Sequence, residues 1–166
     1  MITDLFILPR ATSSIDLVME LITLVLVVSL IPLCFWFSYT DIKHRRIPNS
    51  LTHPVFLVVL IIRLFEPLYF WGMLPAALLL IMFFINPDYI GAGDIKLLAI
   101  IGLILGLNSS LLVAILMCCA LFAYMAWYRL VKKQNVVKIP MAPFITVGLL
   151  ITVFITDVIN YAGRLI

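Results

Sequence analysis

The run IDLVMELITLVLVVSLIPLCFWFSYT, residues 15–40, decides the class of this protein. From Leu21 to Thr40, 20 residues pass without a charge. A helix crossing a bilayer needs roughly 20 mostly apolar residues, so this segment is long enough to span. Asp4 and Pro9 interrupt the stretch before it, which does not read as a secretory leader; the apolar run is expected to stay as an anchor. The rest of the chain has the same character. Of 166 residues, 65% are hydrophobic and 11% charged, where a soluble domain carries about 25% charged residues. A water-soluble fold could not hide that much apolar surface, which leaves the membrane proteins.

Five further apolar segments follow, at about 49–65, 68–85, 95–107, 109–130 and 139–161. The expected fold is therefore all-α: one integral membrane unit over residues 1–166, polytopic, with about six transmembrane helices. The break between the fourth and fifth rests on Gly106-Leu107-Asn108-Ser109-Ser110, which reads as a tight turn. Charge placement tests the count, because Lys and Arg favour cytoplasmic loops. Six spans with an outside N-terminus put Lys43, Arg45, Arg46, Lys96, Arg129, Lys132, Lys133 and Lys138 inside, and Arg10, Arg63 and Arg164 outside. Eight against three favours N-out, C-out. Merging segments four and five would move the 132–138 cluster outside, against the rule. The net charge of +3 follows from this distribution and does not imply nucleic acid.

Carboxylates inside a membrane are costly, about 2.5–3.5 kcal/mol for Asp at a helix centre, and tend to mark function. Asp4, Asp16, Glu20, Glu66 and Asp157 fall in the tail, in an outer loop or near outer span ends, where solvation explains them. Asp41, Asp88 and Asp94 map to cytoplasmic ends. Asp41 closes the first span in Tyr39-Thr40-Asp41-Ile42-Lys43, and Asp94 opens the fourth in Gly91-Ala92-Gly93-Asp94-Ile95-Lys96. They are 53 residues apart, but two intervening spans return the chain to the same face. Two close carboxyls cannot both ionise cheaply and share a proton. One then serves as general base toward water while the other hydrogen-bonds a carbonyl. No Ser or Cys nucleophile is required. Gly91 and Gly93 permit unusual backbone angles and close approach of another backbone, such as a substrate strand. Asp88 reads as a loop acid or as a supporting acid of the pair.

The other polar residues have plainer readings. Cys34, Cys118 and Cys119 form no CxxC pair, and His44 and His53 lack ligand spacing, so neither a metal nor a cofactor is expected. Lys43, Arg45 and Arg46 fix topology and can touch anionic headgroups. Lys96 either tunes the acidic pair or contacts substrate, or it snorkels to the surface. Pro48 stops one element and Asn49 can cap the next. Pro140 and Pro143 either shape a substrate groove or simply start a helix.

Taken together, Asp41-Ile42-Lys43-His44-Arg45-Arg46-Ile47-Pro48-Asn49 and the distant Gly91-Ala92-Gly93-Asp94-Ile95-Lys96-Leu97 resemble the type IV prepilin peptidases. These are GxGD-type aspartic proteases of the bacterial inner membrane. Ile139-Pro140-Met141-Ala142-Pro143-Phe144 resembles that family's Pro-x-(Gly/Ala)-Pro element. The likeness runs from about Phe35 to Gly148. It implies that Asp41 and Asp94 are the catalytic pair and that Gly91 and Gly93 are the GxGD glycines. It also implies that the substrate is a prepilin or pilin-like membrane protein, cleaved on the cytoplasmic side after a glycine and before its hydrophobic helix. Larger members carry an N-terminal region with paired CxxC cysteines and also N-methylate the new terminus. This chain lacks those cysteines and resembles the short, peptidase-only members, so cleavage alone is expected. Two other classes remain open at this point. One is a preflagellin-type or presenilin-like GxGD protease, which the Ile-Pro-Asn sequence fits less well. The other is a small proton-coupled transporter or assembly subunit, which would hold its acids near the bilayer midplane.

Overall fold

The computed structural model describes residues 14–45, 47–85, 91–132 and 139–162. Asp88 and several residues of the charge count, Arg46, Lys133 and Lys138 among them, lie outside these. The described chain is all-helical. It comprises α1 (Ser14–His44), α2 (Asn49–Arg63), a 3-10 helix (Pro67–Met73), α3 (Leu74–Ile85), α4 (Ala92–Leu105), α5 (Leu107–Lys132) and α6 (Ala142–Ala162).

The helix α4 is the axle of the bundle. Its sequence from Leu97 to Leu105 contains no polar side chain, and every residue of that run is buried. A helix apolar on all sides belongs inside a bundle, and here α2, α3, α5 and the 3-10 helix all pack on it. The outer helices turn large apolar side chains outward, among them Val25, Trp36, Ile81, Phe84, Phe122, Trp127 and Phe154. Water would penalise such a surface, whereas lipid accommodates it, and the surface is that of a membrane protein. Three stretches are long and apolar enough to cross a bilayer: Leu17–His44, Pro67–Ile85 and Leu107–Val131. Ser50–Arg63 and Ala142–Thr156 are shorter apolar helices.

The helices fall where the six apolar segments were expected, with three local differences. Segment 68–85 begins as a 3-10 helix. Pro75 has no N–H to donate to the preceding turn, and Gly72 lies flush against Gly102 of α4, so close that a Cβ on either would sit 2.0 Å from the other's carbonyl oxygen. The break between segments four and five is narrower than expected. Gly106 alone makes it, at φ 78° and ψ −179°, a conformation that glycine adopts at no steric cost. Asn108, Ser109 and Ser110 belong to the first turn of α5, where the Ser110 hydroxyl donates to the Leu107 carbonyl at 2.9 Å. The last helix starts at Ala142, because Pro140 and Pro143 restrict the chain before it.

Arg63, counted among the outer cations, also has a structural place. It ends α2 fully buried. Its Nε and Nη2 donate to the Leu103 and Ile104 carbonyls at 3.0 and 3.1 Å. Its Nη1 donates to the Thr23 hydroxyl at 3.0 Å and pairs with Glu66, and the guanidinium lies 3.7 Å from the centre of the Tyr69 ring. The free carbonyls at the C-terminus of α4 are thus met by a cation, as a buried helix end requires. This knot ties α1, α2, α4 and the 3-10 helix together at the end of α4 away from Asp94.

Candidate active site

Asp41 sits in the last turn of α1. The helix ends three residues later, where Arg45 takes φ 50°, its amide donating to the Asp41 carbonyl at 2.8 Å. That left-handed residue turns the chain sharply, so that Ile47-Pro48 comes back toward the start of α4. Pro48 is extended, at φ −68° and ψ 115°, and precedes α2 as its N-cap without a side-chain hydrogen bond, so Asn49 opens the helix instead of capping it.

Asp94 lies in the first turn of α4, three residues after the N-cap Gly91. An acid at this position can fold back over the N-cap, as in half of a capping box. It does so here. The Asp94 amide donates to the Gly91 carbonyl at 3.1 Å, and the Asp94 carboxyl accepts from the Gly91 N–H. Gly91 has an ordinary backbone conformation, φ −77° and ψ 134°, so unusual angles are not its purpose. Its purpose is space: a Cβ there would lie 2.6 Å from Asp94 Oδ2. Gly93 also provides space, since a Cβ there would lie 2.8 Å from the Ile47 Cβ. The expectation that these glycines supply special backbone angles is corrected accordingly. Gly91 makes room for the carboxyl, and Gly93 lets the Ile-Pro-Asn segment pack directly on the GxGD turn. The two distant motifs are in contact.

Both carboxyls are buried, Asp41 at 6% and Asp94 at 7% exposure, and they are close enough for their charges to act on each other. Their surroundings differ. Asp41 Oδ2 accepts from the Ala142 N–H at 3.1 Å, and the Met141 N–H donates to the same carboxyl. Both donors belong to the N-terminus of α6, where the first amides of a helix have no partner within it. Pro140 and Pro143 bracket these two donors and carry no N–H themselves. The prolines therefore frame the amides that hold Asp41. Asp94 Oδ1 is buried and has no hydrogen-bond partner among the described residues. A buried acceptor left unpaired is expensive unless something else comes to meet it. Lys96, on the next turn face, points elsewhere: its Nζ is 3.2 Å from His53 Nε2 of α2.

Asp41, Asp94, Gly91 and Gly93 are thus brought together, Pro140 and Pro143 stand behind Asp41, and Lys96 is turned toward α2. Among the described residues no cluster of His, Cys, Asp and Glu could hold a metal ion. The two backbone donors of α6 escaped the sequence reading, since a main-chain amide leaves no mark of its own. The Pro-x-x-Pro bracket was the available signal.

No curated protein and no solved structure matches the chain. Residues 12–126, from the start of α1 through most of α5 and including both Asp41 and Asp94, match the model of the type IV leader peptidase family. On that match the chain belongs to this family of leader-cleaving proteases.

Proposed function

We propose that the protein is an aspartic endopeptidase that removes the leader of type IV prepilins or pilin-like proteins, with Asp41 and Asp94 as its catalytic pair. One observation carries the reading. Two buried carboxyls from distant helices lie within electrostatic reach of each other, one gripped by helix amides and the other with an oxygen free. Such a pair holds one proton between two carboxyls. The ionised member takes a proton from water as the water oxygen attacks the scissile carbonyl carbon. The protonated member donates to the carbonyl oxygen. The tetrahedral intermediate then collapses, the peptide C–N bond breaks, and a proton passes to the departing amine. The products are a leader ending in a carboxylate and a new amino terminus. The unpaired Asp94 Oδ1 is where water or the scissile carbonyl would be met.

In this reading the protein is a multi-pass protein of the bacterial inner membrane, with six spans, both termini outside and the acidic pair on the cytoplasmic side. The distribution of basic residues, eight against three, supports that orientation. The helix α1, 31 residues and about 46 Å long at 1.5 Å per residue, outruns the roughly 30 Å hydrocarbon core. Its last turn, with Asp41, then falls at the interface, where leader peptides can reach it from water.

The test is cleavage of a purified prepilin by the protein in proteoliposomes. Asp41→Asn and Asp94→Asn are each expected to abolish the product while inserting and folding as wild type does. Processing by either variant at the wild-type rate would refute the pair.

A further inference from the structure

One turn below the Asp41–Ala142 bond, two hydroxyls meet between α1 and α6. Ser38 Oγ and Thr146 Oγ1 are 2.6 Å apart, and both residues are buried. Ser38 precedes Asp41 by three residues, and Thr146 follows Ala142 by four. Each hydroxyl therefore lies on the same helix face as its site residue, one turn along. Thr146 Oγ1 is also 3.0 Å from the Ala142 carbonyl and 3.2 Å from the Cys34 carbonyl. A hydroxyl has one proton to give. Either hydroxyl can supply the proton of the pair, and when Ser38 supplies it the Thr146 proton goes to a carbonyl. The other hydroxyls of α6 behave differently: Thr152 donates to the Gly148 carbonyl at 2.8 Å and Thr156 to the Thr152 carbonyl at 2.7 Å, both within their own helix. Thr146 is bonded across to α1 as well.

Apolar contacts set helix register weakly in lipid, where tails are as apolar as the side chains, and polar pairs between helices set it more sharply. A hydroxyl pair at 2.6 Å breaks if the helices slide by about 1 Å. We infer that Ser38 and Thr146 are positioning residues: their pair fixes the register of α6 on α1 and so keeps the Met141 and Ala142 amides on the Asp41 carboxyl. The inference rests on the proposed role of Asp41.

The test uses the full chain in detergent or proteoliposomes. Thr146→Val preserves shape and removes the hydroxyl, Ser38→Ala removes its partner, and Thr146→Ser retains the bond. Loss of register by a fraction of an ångström is expected to lower kcat about tenfold in Thr146→Val and Ser38→Ala with KM nearly unchanged. Thr146→Ser is expected to restore kcat. A second readout needs no activity. In thermal unfolding, Thr146→Val and Asp41→Ala are expected to be coupled, the double variant losing less than the two single losses combined. Unchanged kcat in both hydroxyl-deleted variants, or additive stability losses, overturns the inference. If Asp41→Asn still cleaves, the catalytic reading fails and the coupling measurement alone decides the positioning claim. If Asp41→Asn is dead while Thr146→Val and Ser38→Ala keep full kcat, the positioning claim alone fails. Should Thr146→Val not fold, Ser38→Ala carries both readouts.

Discussion

Replacing Gly91 by alanine separates catalysis from stability at one position. The backbone there, φ −77° and ψ 134°, suits any residue. Alanine therefore brings no backbone strain, and by restricting the unfolded chain it favours the fold by about 0.4–1 kcal/mol. The added Cβ, however, would stand 2.6 Å from Asp94 Oδ2, where ordinary contact begins at 3.4 Å. The carboxyl must yield by about 0.8 Å. It cannot take the turn with it, because the Asp94 and Ile95 amides are both bonded to the Gly91 carbonyl, at 3.1 and 3.4 Å. The neighbouring Ile95, Leu97 and Leu98 are buried and leave little slack. A misplacement approaching 1 Å costs about 100-fold in rate, or about 2.7 kcal/mol of barrier. The assay is single-turnover cleavage of a purified prepilin, paired with thermal unfolding of the same sample. The expected result is kcat/KM reduced by about 100-fold with a melting temperature equal to or above that of wild type. Wild-type kcat/KM in a folded Gly91→Ala protein would refute the argument that Gly91 exists to make room for the carboxyl.

Three further outcomes are expected. Arg63→Met leaves Glu66 and the α4 carbonyls without their partner and is expected to cost about 3–5 kcal/mol, read as a fall in melting temperature in detergent; Arg63→Lys is not expected to rescue it, because a single ammonium cannot replace the guanidinium fork. Gly102→Ala puts a Cβ 2.0 Å from the Gly72 carbonyl oxygen, and the forced separation of α4 from the 3-10 helix is expected to cost about 1–3 kcal/mol in thermal unfolding. Lys96→Ala removes a solvent-facing contact with His53, worth about 1 kcal/mol, so its effect on cleavage is expected to stay under tenfold; a 100-fold loss would place Lys96 in the site.

Much of the architecture was legible because it is written in local chemistry. Apolar run length sets where helices can exist in a membrane, so the six segments and the fractured stretch at Gly106 could be read directly. The chemical singularity of Asp41 and Asp94 was legible for the same reason: acids beside apolar runs demand an explanation. The 3-10 start of Pro67–Met73 was not, although Pro75 hinted at it, because the flush contact of Gly72 on Gly102 is a property of two segments together. The sequence showed Arg63 only as a cation on one side, for a related reason. Its four hydrogen bonds go to Thr23 of α1, to Leu103 and Ile104 of α4 and to Glu66, and no local pattern states that these groups converge.

The sequence by itself therefore determined that this chain is a helical membrane protein with two unusual acids, because hydrophobicity and charge act residue by residue. Only the tertiary structure decided how those acids are kept: Asp41 by the amides of α6, 100 residues away in the chain, and Asp94 by the room that Gly91 leaves it. Those are contacts of backbone and empty space, which depend on where helices meet and carry no side-chain signature of their own.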